Sequence, residues 1–148
     1  MAKPVKTECK DKGELVLYGL WIGSNRTSFE AESENLMILY SSKVSHQKAL
    51  RYVICEKPDE RGNLDMFCGG EEPGEGLDEY RIPAASYVSA AVTPKFGFLW
   101  GGALDNADRY LRKDWPEESG RRLDGFRMEI RDMVSSKPSI EILYRLEE

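Results

Sequence analysis

The residues best equipped for chemistry in this chain are acids and aromatics, and one acid stands out by its setting. Glu129 lies in the run FRMEIR at residues 126–131, where side chains two apart share a face of an extended strand. Phe126, Met128 and Ile130 then face one way, and Arg127, Glu129 and Arg131 the other. A carboxylate there has two possible roles. Left in water, it pairs with Arg127 or Arg131, or across a hairpin with Arg145. Lifted into an apolar site without a partner, it has a raised pKa and attracts a cation, with aromatic walls adding cation–π attraction. Glu141 faces the same choice and reads as a solvated residue.

Candidates for such walls are Trp21, Tyr52, Phe67, Tyr87 and Trp100, with Met37 as an adaptable neighbour. Aromatics at regular spacing mostly fill cores. If the site turned over a substrate, Glu129 with a raised pKa is the natural general base, and Tyr52 the residue to orient a carbonyl. Other chemistry finds little support. There is no G-x-S-x-G turn and no cysteine–histidine partnership. His46 is the sole histidine and Cys9, Cys55 and Cys68 are scattered, so neither a metal site nor a cofactor is expected. Three cysteines cannot all pair within the chain, which fits a reducing, cytoplasmic setting.

The 148 residues suffice for one domain with its own core. A formal net charge of −5 argues against direct nucleic-acid contact, since that affinity comes largely from lysine and arginine on phosphates. No apolar run reaches the roughly 18 residues of a membrane helix. Residues 1–13 have no apolar centre and read as a flexible arm with no signal peptide, leaving a single domain over 14–148.

These side chains need strands and helices to position them. The run from Glu14 to Gly23 predicts a strand that ends at Ser24-Asn25. A helix from about Phe29 to Lys43 is expected from the stripe Phe29, Leu36, Leu39 and Tyr40. Two strands follow, ALRYVICEK and LDMFCGG, separated by a polar turn from Pro58 to Asn63. The acidic, glycine-rich stretch from Glu71 to Glu79 reads as a linker. A strand through YRIPAASYVSAAV comes next, bent at Pro83. Trp100, Leu104, Ala107, Leu111 and Trp115 then mark a helix from about Phe98 to Asp114, stopped by Pro116. Two closing strands, FRMEIRDM and SIEILYRL, flank a turn from Val134 to Pro138. Both halves, about 14–70 and 79–147, read β-α-β-β, which suggests a duplication. The fold class is therefore α+β. Two repeats related by a pseudo-twofold axis build antiparallel sheets with helices on the outer face. A ligand groove lies between the repeats.

The second half resembles the GyrI-like small-molecule-binding domain, the effector-binding half of some bacterial multidrug-responsive transcription activators. The matching pieces are IPAASY (Ile82 to Tyr87), Tyr110-Leu111 with Trp115 and PEESG ending at Gly120, DGFRME (Asp124 to Glu129) and EILYRL (Glu141 to Leu146). Ala85 stands where the family has glycine, Met128 where an aromatic precedes the glutamate, and Tyr144-Arg145 replace an isoleucine-proline. The resemblance places Glu129 at the family's central glutamate, at the bottom of an aromatic cavity that meets lipophilic cations. It implies capture of hydrophobic, often cationic small molecules, here by a domain standing alone. It leaves two alternatives. Some stand-alone relatives hydrolyse reactive acyl compounds, which would use Glu129 and Tyr52. Others bind and inhibit DNA gyrase, for which the acidic loop from Glu71 to Glu79 offers a nucleic-acid-like surface.

Overall fold

The computed structural model describes residues 2–45, 50–56, 58–94, 100–132 and 137–148. His46, the helix start expected at Phe98 and most of the turn expected from Val134 fall outside them. Eight strands form one antiparallel sheet: β1 (Glu8–Lys12), β2 (Leu15–Asn25), β3 (Leu50–Glu56), β4 (Asn63–Gly70), β5 (Asp78–Ile82), β6 (Ala85–Val92), β7 (Leu123–Asp132) and β8 (Ser139–Leu146). Their order is β1-β6-β8-β7-β3-β4-β2-β5. The helices are α1 (Phe29–Ser42), α2 (Gly101–Arg109) and α3 (Trp115–Ser119), with a π-helical turn over Tyr110–Asp114 joining the last two.

The duplication is visible in the pairing. Within one repeat β4 lies between β2 and β3, and within the other β8 lies between β6 and β7. The repeats meet where β3 pairs with β7. The two remaining strands are exchanged: β1 pairs with β6, and β5 with β2.

That exchange fixes the shape of the sheet. Laid flat, β5 and β6 would be six strand spacings apart, roughly 29 Å at about 4.8 Å each. Only Pro83 and Ala84 join them, and such a link spans at most about 11 Å. The same holds for β1 and β2, joined by Gly13 and Glu14. The sheet must therefore curl until its two ends approach. The Tyr80 hydroxyl on β5 donates to Glu56 Oε1 on β3 at 2.6 Å, a chord across the inner face. Leu17, Tyr52, Ile54, Phe67, Ile82, Tyr87, Phe126, Met128 and Leu143 fill that face and are buried without help from any helix.

The outer face carries the helices. α1 covers Val53, Cys55, Leu64, Met66 and Cys68 through Leu36. The α2–α3 segment covers β6 and β8 through Ala107, Tyr110, Leu111 and Trp115. Trp100 and Leu104 pack against this second cluster, as the helical spacing predicts, whereas Leu39 of the α1 stripe is exposed.

Three local expectations need correction. Pro116 does not stop the second helix. The π-turn lets the Trp115 amide reach the Tyr110 carbonyl, so the chain widens before the proline, which then occupies the first turn of α3 where no amide is needed. Gly120, at φ 73°, ends that helix. The strand expected to bend at Pro83 is instead two strands with different partners. Residues 8–12 of the expected arm form β1, and Ala2 is buried against the α2 side. Asn106 ties Lys3 down by accepting from its amide at 2.8 Å and donating to its carbonyl at 3.0 Å.

Candidate functional site

β7 places the central acid. Asp124-Gly125 makes a bulge near the strand's start: Gly125 has φ 95°, and the pairing with β8 shifts between Leu123 and Arg127. Asp124 Oδ1 accepts the Phe126 amide at 2.9 Å, closing the turn. From there Phe126, Met128 and Ile130 enter or flank the inner cluster, and Arg127, Glu129 and Arg131 take the outer face.

Glu129 combines features of both roles open to it. It is buried, with 4% of its side chain exposed, and it is also fully paired. Its cross-strand neighbours are Val53 and Ile142, which offer no charge. Only the residues two positions away on its own strand can reach it. Arg131 donates to Oε1 from Nε at 3.0 Å and from Nη2 at 2.9 Å, and Arg127 Nη1 donates to Oε2. Burial pushes the carboxyl pKa up, but Arg127 and Arg131 outweigh it and hold it below the ordinary value. The raised pKa expected of an empty apolar site is absent because the site is not empty of cations.

The network continues from β7 to α2 of the same repeat. Arg127 Nε donates to Asp108 Oδ1 at 2.8 Å, and the Tyr144 hydroxyl donates to the same oxygen at 2.5 Å. Arg112, one turn along, sets its Nε 3.5 Å from Asp108 Oδ2, too far for a hydrogen bond, and that nitrogen is buried with no hydrogen-bond partner. Burial opposes ionisation of Asp108 as well, and Arg127 again prevails, so its pKa lies below normal. Burial pushes the Tyr144 hydroxyl up, keeping it a neutral donor. The Arg127 guanidinium also lies over the rings of Phe29, 5.5 Å from its centroid, and Tyr144, at 5.9 Å.

Between α1 and α2 this network opens onto a cavity of about 220 Å3. The first repeat contributes Arg26, Phe29, Cys55, Pro58 and Leu64, and the second contributes Asp108, Arg112, Leu123, Gly125, Arg127 and Tyr144. Glu129 lies in the network beneath it. Burial pushes the Cys55 thiol up to about 11, which keeps it an uncharged wall. Among the described residues, no group of three or more His, Cys, Asp or Glu is arranged to hold a metal, and no helix is long and apolar enough to cross a membrane.

The groove is thus between the repeats, but its floor is the helix-bearing face. Among the sequence-derived site residues, Glu129 alone belongs to this network. Tyr52, Tyr87 and Phe67 are in the inner cluster on the opposite side of the sheet. Trp21 packs there at a tilt against Phe67 and Tyr80, with centroids 5.2 and 4.9 Å away. Trp100 packs on the α2 cluster and Met37 on the α1 cluster. Tyr52 pairs with Ile130, beside Glu129 but with opposite facing, and its hydroxyl donates to Glu71 at 2.8 Å. The Glu129–Tyr52 pair that hydrolysis would need is therefore not assembled. Phe29, Asp108, Arg112 and Tyr144 line the cavity as well, and they lie outside the set of site residues that the sequence marks. The signal available was Tyr144, whose place in SIEILYRL puts it on the face opposite Leu143.

No protein-family model matches this sequence, and no curated protein matches it. Solved structures do. A transcription-regulation candidate from Staphylococcus aureus MU50 superposes with a TM-score of 0.67 at 12% identity, over 98% of this chain and 100% of that one. SAV2435 bound to tetraphenylphosphonium gives 0.68 at 11% identity, over 97% and 94%. The C-terminal domain of EcmrR gives 0.63 at 18% identity, over 97% and 98%. At these identities the likeness establishes the fold alone: this chain shares the α+β architecture of these proteins, an antiparallel eight-stranded sheet with its helices.

Proposed function

We propose that the protein captures a small, partly apolar organic molecule in the groove between its two repeats. The observation that carries this reading is the cavity itself. Both repeats line it, apolar side chains alternate there with a fixed ionic network, and it lies at the seam of a duplicated fold. Among the described residues, the inner face is filled by its own side chains. The fold's likeness to SAV2435, a protein bound to tetraphenylphosphonium, and to the EcmrR C-terminal domain supports the same reading.

Ligand-observed NMR with a mixture of small aromatic compounds tests it, comparing wild type with Leu123→Trp, which places an indole in the cavity mouth. Saturable binding that disappears in a folded Leu123→Trp variant supports capture in the groove. Equal binding by both proteins removes the groove from the function.

Two observations favour a second reading, in which the ligand is a lipophilic cation held by Glu129: the acid is buried in the ionic network that reaches the cavity, and SAV2435 was captured with a phosphonium cation. It requires Arg127 or Arg131 to leave the carboxylate as the cation arrives. Tighter binding of an ammonium compound than of its neutral analogue, lost in Glu129→Gln, is the result it needs.

A further inference from the structure

We infer, resting on capture in the groove, that the molecule taken there is an anion with an apolar body, such as a small aromatic carboxylate. Charge around the cavity leads to this. Arg26, Arg112 and Arg127 line it against a single acid, Asp108. Counting the network beneath adds Arg131 and Glu129, so four guanidinium groups face two carboxylates. The chain as a whole is acidic, at −5, and the groove is a local reversal of that sign.

Neither acid is free to receive a cation. Glu129 accepts from two arginines, and Asp108 from Arg127 and Tyr144. The cations are less well served. Arg112 keeps a buried Nε without a hydrogen-bond partner, and Arg26 at the rim forms no ion pair among the described residues. A buried polar atom left unpaired is costly, and more so on a charged group. An incoming carboxylate would supply the missing acceptor. The guanidinium fork suits it better than an ammonium would, because its parallel N–H groups match the two oxygens. Phe29, Leu64, Leu123 and Tyr144 leave the rest of the space for an apolar body. At about 220 Å3 the cavity is below the roughly 300–1,000 Å3 of drug-sized sites, so that body is one or two rings.

Calorimetric titration of naphthoate, naphthamide and naphthylmethylammonium into the full chain tests this, because the three share a body and differ in charge. The expected result is naphthoate binding at least about tenfold tighter than the amide, the advantage of a charge-assisted over a neutral hydrogen bond. Arg112→Gln and Arg26→Gln should each lower naphthoate affinity and leave the amide unchanged. Equal binding of naphthoate and amide overturns the anion assignment while capture in the groove stands. Preference for the ammonium compound overturns it in favour of Glu129. Binding of none of the three removes capture and anion together. If Arg112→Gln does not fold, the exposed Arg26→Gln decides, and unchanged naphthoate binding in it counts against the proposal.

Discussion

Replacing Glu129 by glutamine separates a paired acid from a waiting one. Glutamine keeps the shape and one acceptor oxygen but removes the charge that Arg127 and Arg131 share. Arg127 retains Asp108, whereas Arg131, with 16% of its side chain exposed, loses its ion pair with Glu129. Removing one partner of a buried ion pair costs about 3–5 kcal/mol, and the lower end applies because the amide still accepts a hydrogen bond. At roughly 2–4 °C per kcal/mol for a chain of this size, Tm should fall by about 10 °C at neutral pH. The wild-type carboxyl is held below its ordinary value. Its contribution is therefore complete above the unfolded pKa and disappears as pH falls through the folded one. Scanning calorimetry from pH 7 down to about 3 should show the two proteins converging in acid. An unpaired buried glutamate would behave in the opposite way, with Glu129→Gln raising Tm at neutral pH. A neutral or stabilising substitution, or a gap that persists in acid, would refute the ionic network as described.

Other consequences follow from packing and exposure. A Cβ on Gly69 would collide with the Tyr18 carbonyl oxygen and the Gly19 Cα, both backbone atoms. Gly69→Ala should therefore cost about 3 kcal/mol or more by forcing β2 from β4, read as a lower urea midpoint. Burial pushes the Cys55 and Cys68 thiols up to about 11 and 12, while Cys9 is exposed. Iodoacetamide at pH 8 should label Cys9 in the native protein, and all three cysteines only after denaturation, as peptide mass mapping would show.

The sequence reveals facing better than it reveals neighbours. Alternation in FRMEIR places Glu129 with Arg127 and Arg131 and opposite Met128, and the structure agrees. Alternation in β3 likewise groups Tyr52 with Ile54. Whether Tyr52 shares a face with Glu129 depends on the pairing of β3 with β7, and period-two patterns carry no information about register parity between strands 70 residues apart. Because Tyr52 pairs with Ile130, it faces inward; a slip of one residue would have brought it beside the acid. Asp108 was illegible for a related reason. Its helix shows an apolar stripe toward its own repeat, but nothing local tells that its polar edge overlooks the other. The continuation of the helix through Pro116 does not show in the sequence, because proline usually breaks the i to i−4 ladder and a π-turn that accommodates it has no clear composition signal. The exchange of β1 and β5 escaped because short edge strands are too brief to show a period.

The curled sheet also explains why the charge state of Glu129 depends on so few positions. Its own side chains fill the inner face, and on the helix-bearing face Glu129 is flanked across the strands by Val53 on one side and Ile142 on the other. The acid's neutralisation therefore depends on the residues two before and two after it. Arg127→Met together with Arg131→Leu should strip it of both partners while Asp108 keeps Tyr144 and Arg112. Burial then acts alone on Glu129 and raises its pKa above the unfolded value. Its contribution to stability becomes largest in acid and declines as pH rises toward the new pKa, the reverse of the wild-type slope. The same variant should lose its preference for naphthoate and bind naphthylmethylammonium instead. If the double variant folds, keeps the wild-type pH slope and still selects the carboxylate, the sign of the groove is set elsewhere, and Arg26 and Arg112 are the groups left to set it.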